Sequence, residues 1–258
     1  MGERFGQACA VRQKGLKMTL QAELRSMLIR VADVLLEAIF PTRCYVCGTF
    51  FPRPPEKALS AKGYWSKFAE TFPDNLDYQK VVSPFLCPSC SKGFTLVEPP
   101  ICRKCGFMMN TSSENDPLCA RCRTSPPRFR MARAYGVYDQ AFRKAIHEFK
   151  YREAIGLVRP FELLLFSTFL RHWNPEDIDI ILPVPLHITR LRKRGFNQAY
   201  VMFRRWPRMA EILNADWPDI QVRPDMLVRT RATESQVGMT QEERQANIRN
   251  VFRVRKPS

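Results

Sequence analysis

Residues 86–122 read LCPSCSKGFTLVEPPICRKCGFMMNTSSENDPLCARC and contain three Cys-x-x-Cys pairs. A fourth pair, Cys44 and Cys47, precedes them, and the ninth cysteine, Cys9, stands alone. The two thiolates of such a pair can ligate one tetrahedral metal ion, and two pairs complete a four-cysteine zinc site. The sequence therefore predicts two structural zinc ions. The predicted ligands are Cys44, Cys47, Cys87, Cys90, Cys102, Cys105, Cys119 and Cys122.

The alternative for these cysteines is a set of disulfide-linked or redox-active pairs. The first 17 residues carry no apolar stretch after their charges, so the sequence predicts no secretion signal. We therefore expect a cytoplasmic chain, whose thiols are kept reduced. Gly48 and Gly106 directly follow the second cysteine of their pairs and suit the left-handed turn of a zinc knuckle. Spacing alone leaves sequential, cross-braced and nested pairing open.

The chain of 258 residues carries 41 Lys and Arg against 25 Asp and Glu, a net charge of +16. This excess predicts an anionic partner such as nucleic acid, a phosphorylated metabolite or a membrane surface. Hydrophobic residues make up 45% of the chain, which suffices for a buried core and excludes an extended disordered chain. The longest apolar runs, at 28–40 and 161–170, are interrupted by charges or too short, so no membrane span is predicted.

Hydrophobic periodicity and prolines divide the chain into three predicted regions. An amphipathic helix at 20–39 is predicted within an N-terminal region, 1–40. A cysteine-rich region spans 41–125 with an insertion at 51–83, and the Pro126-Pro127 pair introduces a third region, 126–258. Strands alternate with helices in the third region, which predicts an α/β domain with a parallel, doubly wound sheet. The strands are expected at 131–138, 178–184 and 225–229, and the helices after Asp139 and at 158–171, 196–206 and 241–250, the last opening with a Thr240–Glu243 capping box.

A basic segment at 183–198, PVPLHITRLRKRGFNQ, directly follows the second predicted strand. Ligands of open α/β sheets bind at the carboxyl ends of the strands. Guanidinium groups, exposed amides and a helix N-terminus at that position would form a pocket for phosphate or pyrophosphate. The alternative is a solvated basic loop, and the residue types alone favour neither.

The order and spacing of several segments resemble the ComF family over residues 28–258. The matching segments are FPTRCYVCG (40–48), LCPSC (86–90), ICRKCG (101–106), LCARC (118–122), FKYR (149–152), LPVPLHITRLRKRGFNQA (182–199) and ESQVGMTQEERQANIRNVF (234–252). The resemblance implies a sequentially paired double zinc ribbon followed by a type I phosphoribosyltransferase-like domain.

The resemblance also implies binding roles in the third region. It implies that 183–198 handles pyrophosphate and that the stretch from Gln236 to Asn247 closes over the substrate. The implied phosphate or pyrophosphate ligands are His187, Arg190, Arg194, Gly195, Asn197 and Gln198. The implied residues of the flexible closing segment are Gln236, Arg244 and Asn247.

The family pattern continues with a strand, an acidic pair and a Thr-Thr-Gly-type loop that bind phosphoribosyl pyrophosphate (PRPP), and these 258 residues contain no such segment. We therefore expect a truncated chain with an incomplete parallel sheet, which is unstable or needs a partner and is inactive as a transferase. Mg²⁺ is expected only if a longer native chain binds PRPP. The expected cofactors of this chain are the two structural zinc ions.

The resemblance predicts a role in competence and DNA uptake, with single-stranded DNA and DNA-uptake proteins as partners. Tyr45, Phe50 and Phe51 lie beside the first cysteine pair and offer rings on which bases could stack. One alternative is a PRPP-dependent phosphoribosyltransferase, if the native chain is longer. The other is a zinc-ribbon scaffold that binds nucleic acid or proteins. None of the three histidines, His147, His172 and His187, is identified as a general base.

Overall fold

A computed structural model describes residues 27–28, 31, 41–52, 61–110, 117–151 and 154–255. Most of the helix predicted at 20–39 lies outside these residues. The three residues of it that are described, Met27, Leu28 and Val31, are helical and exposed. No helix among the described residues combines the length and the apolar character that a membrane span requires. The predicted domain bounds stay predictions.

The cysteine-rich region consists of short elements. Its two strands, β1 (Thr42–Arg43) and β2 (Phe50–Phe51), pair antiparallel around the first cysteine pair. Its helices are α1 (Ala61–Trp65), α2 (Tyr78–Val82), α3 (Pro88–Lys92) and α4 (Ala120–Thr124), with a 3₁₀ turn at Ser66–Phe68. Asp77 begins α2 because its carboxylate accepts hydrogen bonds from two unpaired amides of the first turn, at Gln79 and Lys80.

The remainder of the chain contains longer helices and two small sheets. The helices are α5 (Gln140–Tyr151), α6 (Val158–His172), α7 (Ile188–Arg194), α8 (Gln198–Phe203), α9 (Trp206–Leu213) and α10 (Gln241–Ile248), with 3₁₀ turns at Ile155–Leu157 and Pro175–Asp177. The strands are β3 (Ile180–Ile181), β4 (Gln221–Val222), β5 (Leu227–Arg229) and β6 (Phe252–Val254). The pair β3–β4 is parallel and β5–β6 is antiparallel. Mixed helix and strand of this kind agrees with the predicted α/β class.

Three helix predictions are confirmed, at α5, α6 and α10. The predicted capping box is present: the Thr240 side chain accepts from the Glu243 amide, and the Glu243 carboxylate accepts from the Thr240 amide at 2.7 Å. The helix predicted at 196–206 is two helices, α8 and α9. Pro207 occupies the first turn of α9, where its missing N–H costs nothing, so the proline starts a helix rather than ending one.

The strand predicted at 131–138 is wrong. This segment makes one isolated bridge, between Gly136 and Leu96, and two flanking hydrogen bonds, from the Val97 amide to Tyr135 O and from the Val137 amide to Thr95 O. The neighbouring segment continues into Pro99 and Pro100, which have no N–H groups to extend a ladder. The strand predicted at 178–184 is confirmed only at Ile180–Ile181.

The hydrophobic core joins the cysteine-rich region to the helices that follow it. Helix α6 lies at its centre and contacts α2 and α8, while α1 contacts α9. Phe166 of α6 stacks on Phe72 at 5.4 Å between ring centroids and lies 5.0 Å from Trp206. The described part of the predicted insertion, 61–83, therefore contributes Tyr64, Trp65 and other buried side chains to this core.

A buried ion pair crosses the same core. Glu162 of α6 has a fully buried side chain, and the Arg205 guanidinium donates to both of its carboxylate oxygens at 2.5 and 3.1 Å. The same guanidinium lies 5.0 Å from the centre of the Trp65 ring. Burial raises the pKa of Glu162 to about 7, while Arg205, Arg159 and Arg204 act to lower it. One guanidinium thus links α6, α1 and the turn before α9.

Candidate metal centres and cationic cleft

The first cysteine cluster brings together Cys44, Cys47, Cys87 and Cys90, whose sulfurs all lie within 4.8 Å of one another. Cys44 and Cys47 flank a tight knuckle that closes with a hydrogen bond from the Gly48 amide to Cys44 O and a φ of 75° at Gly48. Cys87 is the N-cap of α3, so the second pair sits at the start of a helix. The Tyr45 amide donates to Phe85 O at 3.2 Å and joins the knuckle to that helix.

The second cluster repeats this arrangement with Cys102, Cys105, Cys119 and Cys122. The Gly106 amide donates to Cys102 O, and Gly106 has a φ of 73°. Cys119 is the N-cap of α4, with φ and ψ of −69° and 158° against −65° and 159° for Cys87. The pairing is therefore sequential, and both predicted knuckle glycines occupy the left-handed conformation.

The sulfur positions fit a tetrahedral metal ion. A Zn–S bond of about 2.3 Å in a regular tetrahedron places sulfurs about 3.8 Å apart. The Cys47–Cys87 and Cys105–Cys119 sulfurs are both 3.7 Å apart. The eight cysteines are free, and these distances exceed the roughly 2.05 Å of a disulfide bond. Each cluster can therefore hold one metal ion with all four positions filled by protein.

Each cluster contains one thiol whose pKa is lowered. Hydrogen bonding with the Thr49 side chain and backbone lowers the pKa of Cys47 to about 6. Burial acts to raise the pKa of Cys102, but backbone hydrogen bonds at Cys105, Cys119 and Lys104 lower it to about 6. Thiolate is the ligand form of cysteine, so Cys47 and Cys102 favour the species that binds metal. Burial raises the pKa of Cys87 and Cys90 in the first cluster and of Cys105 and Cys122 in the second, so these thiols would lose their protons when a metal ion binds.

The two knuckle glycines predict a measurable difference between the clusters. Gly48→Ala should cost about 1–2 kcal/mol, the penalty for a side chain in the left-handed conformation, because a Cβ there meets nothing within 4 Å. Gly106→Ala should cost more, because its Cβ would also lie 2.8 Å from Ala132 O. Native-state hydrogen exchange of the knuckle amides measures both local opening free energies. Equal losses at the two turns would contradict the backbone contact at Ala132.

A cationic cleft of about 1060 Å³ lies between α5, α7 and the segment that leads into α10. Among the described residues that line it, seven are Lys or Arg and none is Asp or Glu. The seven are Arg143, Lys150, Arg190, Lys193, Arg194, Arg229 and Arg244. Burial lowers the pKa of Arg229, and the nearby Arg190 and Arg231 lower it further. The cleft therefore concentrates positive charge without internal neutralisation.

Two of the predicted phosphate ligands, Arg190 and Arg194, line this cleft together with Gln236 and Arg244 of the predicted closing segment. The Arg190 guanidinium donates to Thr233 O at 2.7 Å and to Glu234 O at 3.1 Å. It therefore fixes the segment that carries Gln236. Arg194 donates to Gln198 Oε1 at 3.1 Å and lies 4.7 Å from the centre of the Tyr151 ring.

The other five predicted site residues do not line the cleft, and most of them stabilise the backbone around it. His187 Nδ1 caps α7, and Gly195 ends that helix in the left-handed conformation. Asn197 caps α8 through the Ala199 amide and donates to Val184 O at 3.2 Å. Gln198 is buried and accepts a hydrogen bond from Arg194, and the side-chain amide of Asn247 donates to Glu234 O at 3.3 Å.

The basic segment at 183–198 contains a helix, α7, at Ile188–Arg194. His187 caps its start, Ile188 and Leu191 recur at helical spacing, and three basic residues lie in its last turn, where the helix dipole favours positive charge. Sequence reasoning also missed the contribution of α5. Arg143, His147 and Lys150 recur at steps of four and three, on the face beside Phe142, Ile146 and Phe149, and all three line the cleft.

The chain is similar to curated proteins from several bacteria. It is 26% identical to the "DNA utilization protein YhgH" of Escherichia coli K12 over 175 residues, which are 67% of this chain and 72% of that protein. It is 25% identical to "Competence protein F" of Haemophilus influenzae over 65% of this chain and 69% of that protein. It is 25% identical to "Competence protein ComFC" of Bacillus subtilis over 45% of this chain and 49% of that protein.

No family model matches the chain. No solved structure matches it either. The relatives named for competence and DNA utilization, together with the two four-cysteine clusters, bear out the resemblance found in the sequence motifs. These similarities support a ComF family assignment for the chain.

Proposed function

We propose that this chain is a zinc-binding protein of competence and DNA uptake that holds single-stranded DNA in its cationic cleft. The similarity to "Competence protein F" and "DNA utilization protein YhgH" supports a role in competence and DNA uptake. The observation that supports DNA as the ligand is the cleft itself, in which seven cationic side chains face no acidic one among the described lining residues.

The two metal ions are proposed to be zinc with a structural role. Four thiolates close the coordination sphere and leave no position for water or substrate. Cys44 and Cys87 are also buried in the hydrophobic core, where a metal ion joins the first knuckle to α3. The metal ions would thus stabilise the fold that carries the cleft.

Single-stranded DNA fits the cleft better than a small anion because aromatic rings accompany the charges. Tyr138 and Tyr151 line the cleft and are 61% and 58% exposed. Proteins that bind single strands combine a cationic groove for phosphates with aromatic side chains on which bases stack. Phosphate contacts of this kind make the affinity fall as the salt concentration rises.

Arg143→Gln with Arg244→Gln should weaken binding of a labelled single-stranded oligonucleotide about tenfold. Both side chains are exposed and line the cleft, so the double variant removes two phosphate contacts without opening the core. Fluorescence anisotropy at several salt concentrations measures both the affinity and its salt dependence. The logarithmic salt slope should become shallower by about 1.4, since each lost contact with a single strand contributes about 0.7.

The matched control is Arg208→Gln, an exposed arginine of α9 that lines neither this cleft nor the one described below. It should leave the affinity within twofold of wild type. Equal losses in the two variants would show that net charge, not the cleft, binds the strand. Undetectable binding by wild type at low salt would reject DNA as the ligand.

A further inference from the structure

A second and larger cleft, of about 1640 Å³, lies between the first cysteine cluster and the helices packed against it. We call it the ribbon cleft. The knuckle at 43–48 forms one wall, and α5, the turn at 154–159 and α8 form the other. Arg194 and Phe196 line both this cleft and the cationic cleft, so the two lie on opposite sides of the turn between α7 and α8.

Unpaired positive charge is concentrated in the ribbon cleft. Six Lys or Arg residues line it, including Lys144, Arg159 and Arg204, against one acidic residue among the described lining, Glu148. No ion pair is found for Lys144, Arg159 or Arg204 within the part of the chain that the structure describes. Arg159 and Arg204 both act to lower the pKa of Glu162. Glu162 is already paired with Arg205 at 2.5 Å. One buried carboxylate therefore neutralises only one of three neighbouring arginines.

An aromatic wall lies beside these charges. A Cβ built on Gly156 would lie 2.4 Å from the Tyr45 hydroxyl, so the Tyr45 ring rests directly against the turn at 154–157. The Tyr45 amide is held by Phe85 O, and the rings of Phe85 and Phe196 also line the cleft. Tyr45 remains 36% exposed. The cleft thus offers a fixed aromatic surface next to unpaired guanidinium and ammonium groups.

We propose that the ribbon cleft binds a nucleoside polyphosphate, with the phosphates at Lys144, Arg159 and Arg204 and the base against Tyr45. Adjacent phosphates match a cleft in which six cationic side chains outnumber one carboxylate among the described lining residues, and guanidinium forks suit phosphate oxygens. A planar base matches an aromatic wall that its backbone contacts hold in place. The volume of the cleft exceeds that of a typical small-molecule site, so a whole nucleotide fits.

Calorimetric titration of the zinc-loaded full chain with dATP and with inorganic triphosphate tests this site. We expect Lys144→Gln with Arg204→Gln to weaken both ligands at least tenfold; both side chains are exposed, so the variant keeps its fold. Tyr45→Leu should weaken dATP about fivefold and leave triphosphate unchanged. Arg208→Gln and the cationic-cleft variant Arg143→Gln with Arg244→Gln should each stay within twofold of wild type.

Three results would overturn the proposal. One is dATP affinity that is unchanged in Lys144→Gln with Arg204→Gln. Another is a loss of dATP binding in the Arg143→Gln with Arg244→Gln variant, which would move the ligand to the cationic cleft. The third is binding of an oligonucleotide that needs Lys144 and Arg204 while dATP does not bind, which would assign the ribbon cleft to a strand. Zinc content and circular dichroism confirm that each variant is folded.

Discussion

Cys87→Ser should unfold the whole chain, whereas Cys119→Ser should unfold only the surroundings of the second cluster. The two cysteines occupy the same position, as N-caps of α3 and α4 with nearly equal backbone angles. Serine is a favourable N-cap, so neither helix loses its cap and each substitution chiefly removes one metal ligand. The difference between the variants then reports what each metal site supports.

The expected difference follows from where the clusters lie. Cys44 and Cys87 belong to the main hydrophobic core together with Trp65, Phe166 and Trp206, and Cys90 packs against it. Cys102 and Cys122 are buried but lie outside that core. A structural zinc site contributes about 10–16 kcal/mol, which is comparable to the entire stability of a domain. Loss of the first site should therefore remove the cooperative transition of the core.

Metal analysis and tryptophan fluorescence separate the two outcomes. Cys119→Ser should retain about one zinc ion per chain and a cooperative thermal transition, because Trp65 and Trp206 stay packed. Cys87→Ser should show exposed tryptophans at all temperatures. If both variants keep the same transition, the first metal site does not support the core. If both lose it, the second cluster is as essential as the first.

The candidate metal ligands could be predicted from the cysteine spacing, but their pairing could not. Four Cys-x-x-Cys pairs specify the ligands because the spacing itself produces the local geometry. Pairing depends on how the 39 residues between Cys47 and Cys87 fold. The described part of this segment, 61–86, packs in the core: Tyr64 donates to Val81 O at 2.6 Å, and Phe85 O accepts from the Tyr45 amide. Such long-range contacts leave no mark on cysteine spacing.

The cationic cleft was predicted only in part for a similar reason. The segment at 183–198 was found because its charges are consecutive in sequence. Arg143, Lys150 and Arg229 lie on a helix and a strand far from it in sequence, and only the packing of α5 and β5 brings them to the same cleft. Periodicity did reveal the buried face of α5. The charged face of the same helix could have been predicted from the same 3.6-residue period.

Arg205→Met should lower the free energy of unfolding by about 3–5 kcal/mol, the cost of leaving a buried carboxylate without its partner. The Glu162 side chain is fully buried, and the described contacts give it two hydrogen bonds from Arg205. Methionine keeps most of the apolar volume beside Trp65, so packing changes little. Denaturant unfolding of the zinc-loaded chain at pH 8 measures the loss.

The pH dependence distinguishes an unpaired charge from a simple packing defect. Burial raises the pKa of Glu162 to about 7, and Arg205 is the largest influence that lowers it. Without Arg205 the native-state pKa rises further, so the folded variant keeps its proton where the unfolded chain has lost it. Stability then falls as the pH rises above about 4.3, the pKa of a glutamate side chain in the unfolded chain. The deficit of Arg205→Met against wild type should therefore be larger at pH 8 than at pH 5.

Adding Glu162→Leu to Arg205→Met should restore most of the lost stability. Replacing both partners of a buried ion pair with apolar side chains removes the desolvated charge as well as the bond, and is often neutral or stabilising. A packing defect would behave differently, because the second substitution would add its own cost and the deficit would not depend on pH. A double variant less stable than Arg205→Met, with equal deficits at pH 5 and pH 8, would show that Arg205 acts through its contact with Trp65 at 5.0 Å rather than through its charge.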